Sequence, residues 1–142
     1  MKVKEVMTKS PTFCTPATGL QAAAKMMCDN DCGELPVLEN NRTMKPIGVI
    51  TDRDITCRAV AWGKNPFALQ VADCMSSPAV TVTPETDIDV CCELLELRQI
   101  RRVRVVDDEG RCCGIVAQAD IARKCGAEKV GEIVREVSQV AA

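Results

Sequence analysis

Histidine and tyrosine are absent from the 142 residues, and aromatic content stops at one tryptophan and two phenylalanines. Without histidine the commonest general base and metal ligand is gone. No nucleophile–base pair is recognisable by spacing, and no Walker-type loop occurs. These gaps argue against an enzyme. An excess of charge of one sign is lacking too, since 18 Lys and Arg against 20 Asp and Glu leave a formal net charge of −2. The densest basic spot, Arg101, Arg102 and Arg104, is too short to track a phosphate backbone, so nucleic acid is not an expected partner. No apolar run approaches the ~18 residues of a membrane span. Met1-Lys2-Val3-Lys4-Glu5 is not followed by the apolar core of an export signal. The expectation is a cytoplasmic protein with no membrane partner.

Cysteine is the opposite case, with ten residues. A disulfide framework belongs to short, loop-rich secreted chains, and this chain has the periodicity of a packed core. A metal site is disfavoured because no C-x-x-C occurs and the pairs Cys91-Cys92 and Cys112-Cys113 are adjacent, which in a helix or strand turns the two thiols apart. Most of these cysteines therefore read as small buried hydrophobes, with a thiol-based sensor as a weaker alternative. No metal ligand is assigned.

The chain repeats itself. At an offset of 68, Met7 falls on Met75, Thr15-Pro16 on Thr83-Pro84, Thr18 on Thr86 and Val37 on Val105. Beyond the Asn40-Asn41-Arg42 turn the offset is 66, which aligns Gly48 with Gly114 and Asp54 with Asp120. Two copies of about 60 residues account for the length. In the first copy, Thr12 to Thr15 reads as a short strand and Thr18 as a helix N-cap. Leu20, Ala23, Ala24 and Met27 recur at helical spacing. Strands follow at Leu35 to Leu38 and Ile47 to Ile50, and Thr51 caps a second helix from Asp52 to about Ala61. The second copy gives a strand at Val80 to Val82, cap Thr86, a helix with Ile88, Cys91, Cys92 and Leu95, strands at Val103 to Val106 and Cys112 to Val116, and a helix from about Gln118. Trp62 to Gln70 reads as a linker, and Val130, Ile133, Val134 and Val137 as one face of a terminal helix. Such a β-α-β-β-α unit cannot cover both faces of its sheet alone. Apolar helix faces left over predict self-association, most simply a two-fold homodimer.

Gly48-Val49-Ile50-Thr51-Asp52-Arg53-Asp54 resembles the signature of the cystathionine-β-synthase-type (CBS) motif: Gly, two apolar residues, Thr or Ser, two variable residues, Asp. Val6-Met7-Thr8, Asp73-Cys74-Met75-Ser76 and Leu35-Pro36-Val37 resemble other parts of the motif. The resemblance covers nearly the whole chain, in two copies with the right internal order. It implies an α+β fold of two β-α-β-β-α CBS motifs packed as a pseudo-two-fold pair (a Bateman module of the stand-alone prokaryotic type) with a linker and terminal helix. The copies would span 1–69 and 70–142. It also implies a regulatory role, with no cofactor but with AMP, ADP, ATP or S-adenosylmethionine bound in a cleft between the motifs. The regulated effector would be a separate protein, if one exists. The alternative is a protein-interaction or dimerisation module whose clefts stay empty.

Physical chemistry suggests the roles. A carboxylate in a first helical turn can accept both hydroxyls of a ribose, which points to Asp54. A Thr hydroxyl, free N–H groups at a helix N-terminus and a neighbouring guanidinium suit a phosphate, which points to Thr51 and Arg53. The strand around Val80 and Thr81 would wall the base, as would Pro36. Thr51-x-x-Asp54 also fits a capping box, in which both residues serve only the helix. In the second copy the sequence is Gly114-Ile115-Val116-Ala117-Gln118-Ala119-Asp120. The hydroxyl and the arginine are gone while Asp120 stays, so pure capping gives little reason for that aspartate. Gln118 compensates in part, and Arg101 and Arg102 stand where related modules place phosphate-binding residues. Arg104 replaces the proline that copy one has at Pro36. The second site is therefore expected to be weaker, altered in ligand or empty.

Overall fold

A computed structural model describes residues 1–125 and 134–137. The fold is α+β; the second copy supplies the expected β-α-β-β-α order, and the first supplies it without the leading strand. In the first copy, α1 (Leu20–Asp29) is followed by the hairpin of β2 (Glu34–Leu38) and β3 (Pro46–Thr51) and by α2 (Asp52–Arg58). In the second, β4 (Thr81–Val82), α3 (Ile88–Arg98), β5 (Arg102–Val106), β6 (Cys112–Ala117) and α4 (Gln118–Cys125) follow the same order. A short strand β1 (Thr8–Lys9) precedes both. The predicted strand at Thr12 to Thr15 is reduced to a single parallel bridge between Cys14 and Val37. Of the predicted terminal helix, residues 134–137 are helical and Val137 is buried; Val130 and Ile133 lie outside the described residues.

The threonine caps proposed for the first helix of each copy, Thr18 and Thr86, are displaced in the same way. Helix α1 starts after Gly19, and α3 after Asp87, whose carboxylate accepts the Asp89 N–H at 3.0 Å. The Thr18 hydroxyl instead accepts from the Thr15 N–H at 3.0 Å, and Thr86 does the same for Thr83 at 3.1 Å. Each threonine closes the turn in front of the helix, since its short side chain bonds local backbone more readily than it reaches forward.

Packing does not follow the repeat boundary between 69 and 70. The chain forms two compact units, one of Thr12–Ala79 and one of Met1–Pro11 with the residues from Val80 on. Each unit is the body of one copy completed by the lead-in segment of the other. In the first unit, Ser76 and Val49 exchange backbone hydrogen bonds of 2.8 Å in both directions, and Val71 N–H bonds the Thr18 carbonyl at 2.8 Å. In the second, β1 pairs antiparallel with β6, placing Thr8 opposite Ile115, and Val3 N–H bonds the Thr86 carbonyl at 2.9 Å. The sheet there runs β1-β6-β5-β4, with β4 parallel to β5.

The lead-ins explain the glycine that opens each motif. A Cβ on Gly48 would lie 2.3 Å from the Ser76 carbonyl oxygen and 2.5 Å from Met75 Cε. One on Gly114 would lie 2.7 Å from Met7 Sδ and 3.0 Å from the Thr8 carbonyl. Both glycines therefore serve close approach of a second backbone. Each unit has its own core. Leu20, Leu35, Val37, Ile50 and Val71 are fully buried in one; Val3, Leu95, Val103, Val105, Val116 and Ile121 are fully buried in the other.

Candidate functional site

The turn from β3 into α2 positions the first group of predicted residues. Thr51 ends the strand with extended backbone, so its hydroxyl faces the first turn and accepts the Asp54 N–H at 3.0 Å; Asp54 Oδ2 accepts the Thr51 N–H at 3.0 Å. This is a reciprocal capping box. It leaves two groups over. The Thr51 hydroxyl accepts that bond and keeps its proton for donation. Asp54 Oδ1 receives no hydrogen bond among the described residues; the Arg58 guanidinium stands 3.9 Å away, and the carboxylate is 15% exposed. Arg53 is exposed beside it.

The free N–H groups expected there are not free. Asp52 N–H bonds the Gly33 carbonyl at 2.9 Å, Arg53 N–H the Asp52 carboxylate at 2.8 Å, and Asp54 N–H the Thr51 hydroxyl. Any anion at this turn must be held by side chains. Pro36 is buried on β2, opposite Val49, which in turn pairs with Ser76. Pro36 thus shares a cross-strand row with the residue that follows Gly48.

The matching turn in the other unit is built differently. Asp120 Oδ2 accepts the Ala117 N–H at 2.8 Å, so half of a capping box survives without a hydroxyl. Capping does explain Asp120, against the sequence expectation. Its Oδ1 is taken as well, by Arg123 at 2.5 Å and by the Thr8 hydroxyl at 3.4 Å, and the side chain is only 7% exposed. Arg101 and Arg102 come together with Ala117, Gln118 and Ala119 around a cavity of about 230 Å³. The Gln118 amide nitrogen is buried there without a partner among the described residues, and Gln118 N–H bonds the Arg101 carbonyl at 3.2 Å. Val80 packs against the core and accepts the Arg104 N–H at 3.2 Å, while Thr81 is exposed on β4. Register places Thr8, Ile115, Arg104 and Thr81 in one row across the four strands. Arg104, 4% exposed, takes the place of Pro36 in that row.

Sequence reasoning missed Arg58, Arg123 and Thr8. The two arginines carried a signal, since each follows its aspartate by one helical turn. Arg58 also donates to the Cys74 and Met75 carbonyls at 2.9 Å, which fastens the lead-in segment. Thr8 carried no local signal, because it reaches Asp120 only through the exchange of lead-ins.

The sequence pattern of the CBS domain matches residues 3–59 and again 71–126. The chain belongs to the CBS domain family. It is 36% identical over 118 residues to an uncharacterised protein, MK0525, of Methanopyrus kandleri, covering 83% of this chain but only 57% of that relative. It is 32% identical over 137 residues to the CBS domain-containing protein YhcV of Bacillus subtilis, covering 96% of this chain and 94% of that one. Among solved structures, the CBS domain pair of protein MJ0100, in complex with 5′-methylthioadenosine and S-adenosyl-L-methionine, superposes with a TM-score of 0.76 at 28% identity, covering 89% of this chain and all of that one. Among the described residues no helix is long and apolar enough to cross a membrane, and no group of three or more Cys, Asp or Glu could hold a metal ion.

Proposed function

We propose that this CBS pair is a cytoplasmic regulatory module that binds an adenosine-containing ligand and catalyses no reaction. The observation that carries the reading is the spare valence at the β3–α2 turn: Asp54 Oδ1 takes no hydrogen bond among the described residues, and the Thr51 hydroxyl still has its proton. Asp54 accepts the ribose hydroxyls, Thr51 and Arg53 meet a phosphate, and Pro36 belongs to a wall for the base. Arg101, Arg102, Gln118 and Asp120 form a second, weaker site. The ligand complex of MJ0100 supports the ligand class. Calorimetry with AMP, ADP, ATP, S-adenosylmethionine and NADH tests it. The expected result is one dominant site that Asp54→Ala abolishes and Asp120→Ala weakens less. Equal affinity at two sites would overturn the ranking.

Exposed apolar groups favour a second reading, an interaction module that acts as a homodimer or on an effector protein. Val90 and Leu97 are 54% and 79% exposed two turns apart on α3, and Trp62 and Phe67 are 76% and 80% exposed. If no adenine compound binds or raises the melting temperature, this reading stands in place of the first.

A further inference from the structure

One groove in the Thr12–Ala79 unit is not used by the proposed function. It lies between α1 and α2, encloses about 550 Å³, and is lined by Met27, Cys28, Cys32, Gly33, Asp52 and Ile55 among others. It is also where thiol chemistry is accessible. Cys14, Cys74, Cys91, Cys92 and Cys112 are buried. Desolvation pushes the thiols of Cys14 and Cys91 up to about 11 and raises those of Cys74, Cys112 and Cys113, which keeps them protonated and inert. Cys28 and Cys57 are exposed and Cys32 and Cys125 are half-buried, and of these Cys28 and Cys32 face one groove.

The end of α1 brings the two together. Asp31 adopts a left-handed conformation, with φ of 49°. Its N–H bonds the Cys28 carbonyl at 3.3 Å, and the Cys32 N–H bonds the Met27 carbonyl at 3.0 Å. This pair of bonds curls the chain back against the last helical turn and folds the second residue past the cap onto the helix flank. Cys32 is thereby fastened by its backbone to the residue before Cys28.

We propose that Cys28 and Cys32 are a dithiol site for small-molecule disulfides, closing to an internal disulfide that acts on the cap of α2. The Cys28 thiolate attacks one sulfur of the small disulfide, forms a mixed disulfide and expels one small thiolate, which takes up the proton that Cys28 released. Cys32 then loses its proton and attacks the Cys28 sulfur, expelling the second small thiol. Two protein thiols are oxidised and one small disulfide is reduced to two thiols. Bridging moves Cys32 and with it Gly33. The Gly33 carbonyl holds the Asp52 N–H, and a Cβ on Gly33 would already lie 2.8 Å from Asp52 Oδ2. The next residue, Glu34, is paired with Thr51. The displacement therefore reaches the Thr51–Asp54 cap within two residues. This coupling rests on the ligand reading above; the dithiol itself does not.

The whole protein is incubated with oxidised glutathione at mildly alkaline pH, quenched by alkylation and mapped by peptide mass spectrometry. Cys28 and Cys32 share one tryptic peptide, between Lys25 and Arg42. That peptide should lose two hydrogens and resist alkylation, while Cys57 takes up glutathione. Cys32→Ser should leave a stable glutathione adduct on Cys28. A wild-type protein that accumulates glutathione on Cys28 with Cys32 still reduced overturns the proposal, as does one whose two thiols stay unreactive while Cys57 is modified. In a second arm, affinity for S-adenosylmethionine and ATP should fall about tenfold on oxidation, and not in Cys28→Ser. Bridging without that loss removes the coupling and keeps the dithiol. If neither compound binds the reduced protein, the ligand reading fails, and the mass map still decides the dithiol.

Discussion

Asp54 and Asp120 occupy the same position of the two repeats and meet opposite circumstances. Asp54 gives one oxygen to the cap and keeps the other within reach of solvent, with Arg58 at 3.9 Å. Asp120 gives one oxygen to the cap and the other to Arg123 and Thr8. A motif residue thus keeps an oxygen open in one copy and is a fastening in the other, and its neighbours decide which. The same contrast runs along the sheets, where Pro36 presents an apolar ring and Arg104 a buried guanidinium at matching places.

The largest test of this contrast lies at the glycines. Gly48→Ala should cost about 3 kcal/mol and Gly114→Ala about 1 to 2 in denaturant unfolding. The first clash involves a backbone carbonyl at 2.3 Å, whereas the nearest atom in the second is the flexible Met7 sulfur. Equal losses would mean that the two lead-ins are seated alike. Next come the aspartates, which should dissociate stability from affinity. Asp120→Ala leaves Arg123 and the Ala117 N–H without their acceptor and should cost about 2 kcal/mol of stability, with a modest effect on ligand affinity. Asp54→Ala should cost about 1 kcal/mol, the worth of a cap, and abolish the tightest binding. The reverse pattern in paired melts and titrations would exchange the roles of the two copies. The smallest effect sharpens the comparison by construction. Ala117→Thr restores the missing hydroxyl to α4 and should raise stability by about 0.5 to 1 kcal/mol, and Thr51→Ala should lower it by a similar amount, both read as shifts in Tm.

The helices, the hairpins and the order of elements were legible because apolar spacing and turn residues agree along each copy. Thr18 and Thr86 misled as caps for a physical reason: a hydroxyl three residues from a turn amide satisfies that amide first. The motif letters Gly48 and Gly114 were legible as a signature, but their cause was not, since the atoms they make room for lie in a distant segment. The α2 amides offered to a phosphate are claimed by Gly33, Asp52 and Thr51, and only the Thr51–Asp54 part of that competition is written in local spacing. Asp120 was set apart from Asp54 on the missing hydroxyl and arginine alone. The two partners that occupy its second oxygen, Arg123 and Thr8, went unseen.

The exchange of lead-ins also sets an order of events during synthesis. The Thr12–Ala79 unit has every one of its parts as soon as Ala79 has left the ribosome. In the other unit Thr8 and Lys9 precede the Thr12–Ala79 segment and β6 follows it, so they have no β6 to pair with until that segment has been made. The nascent protein therefore carries one finished unit and one idle strand, and β1 closes onto β6 across a segment that has already folded.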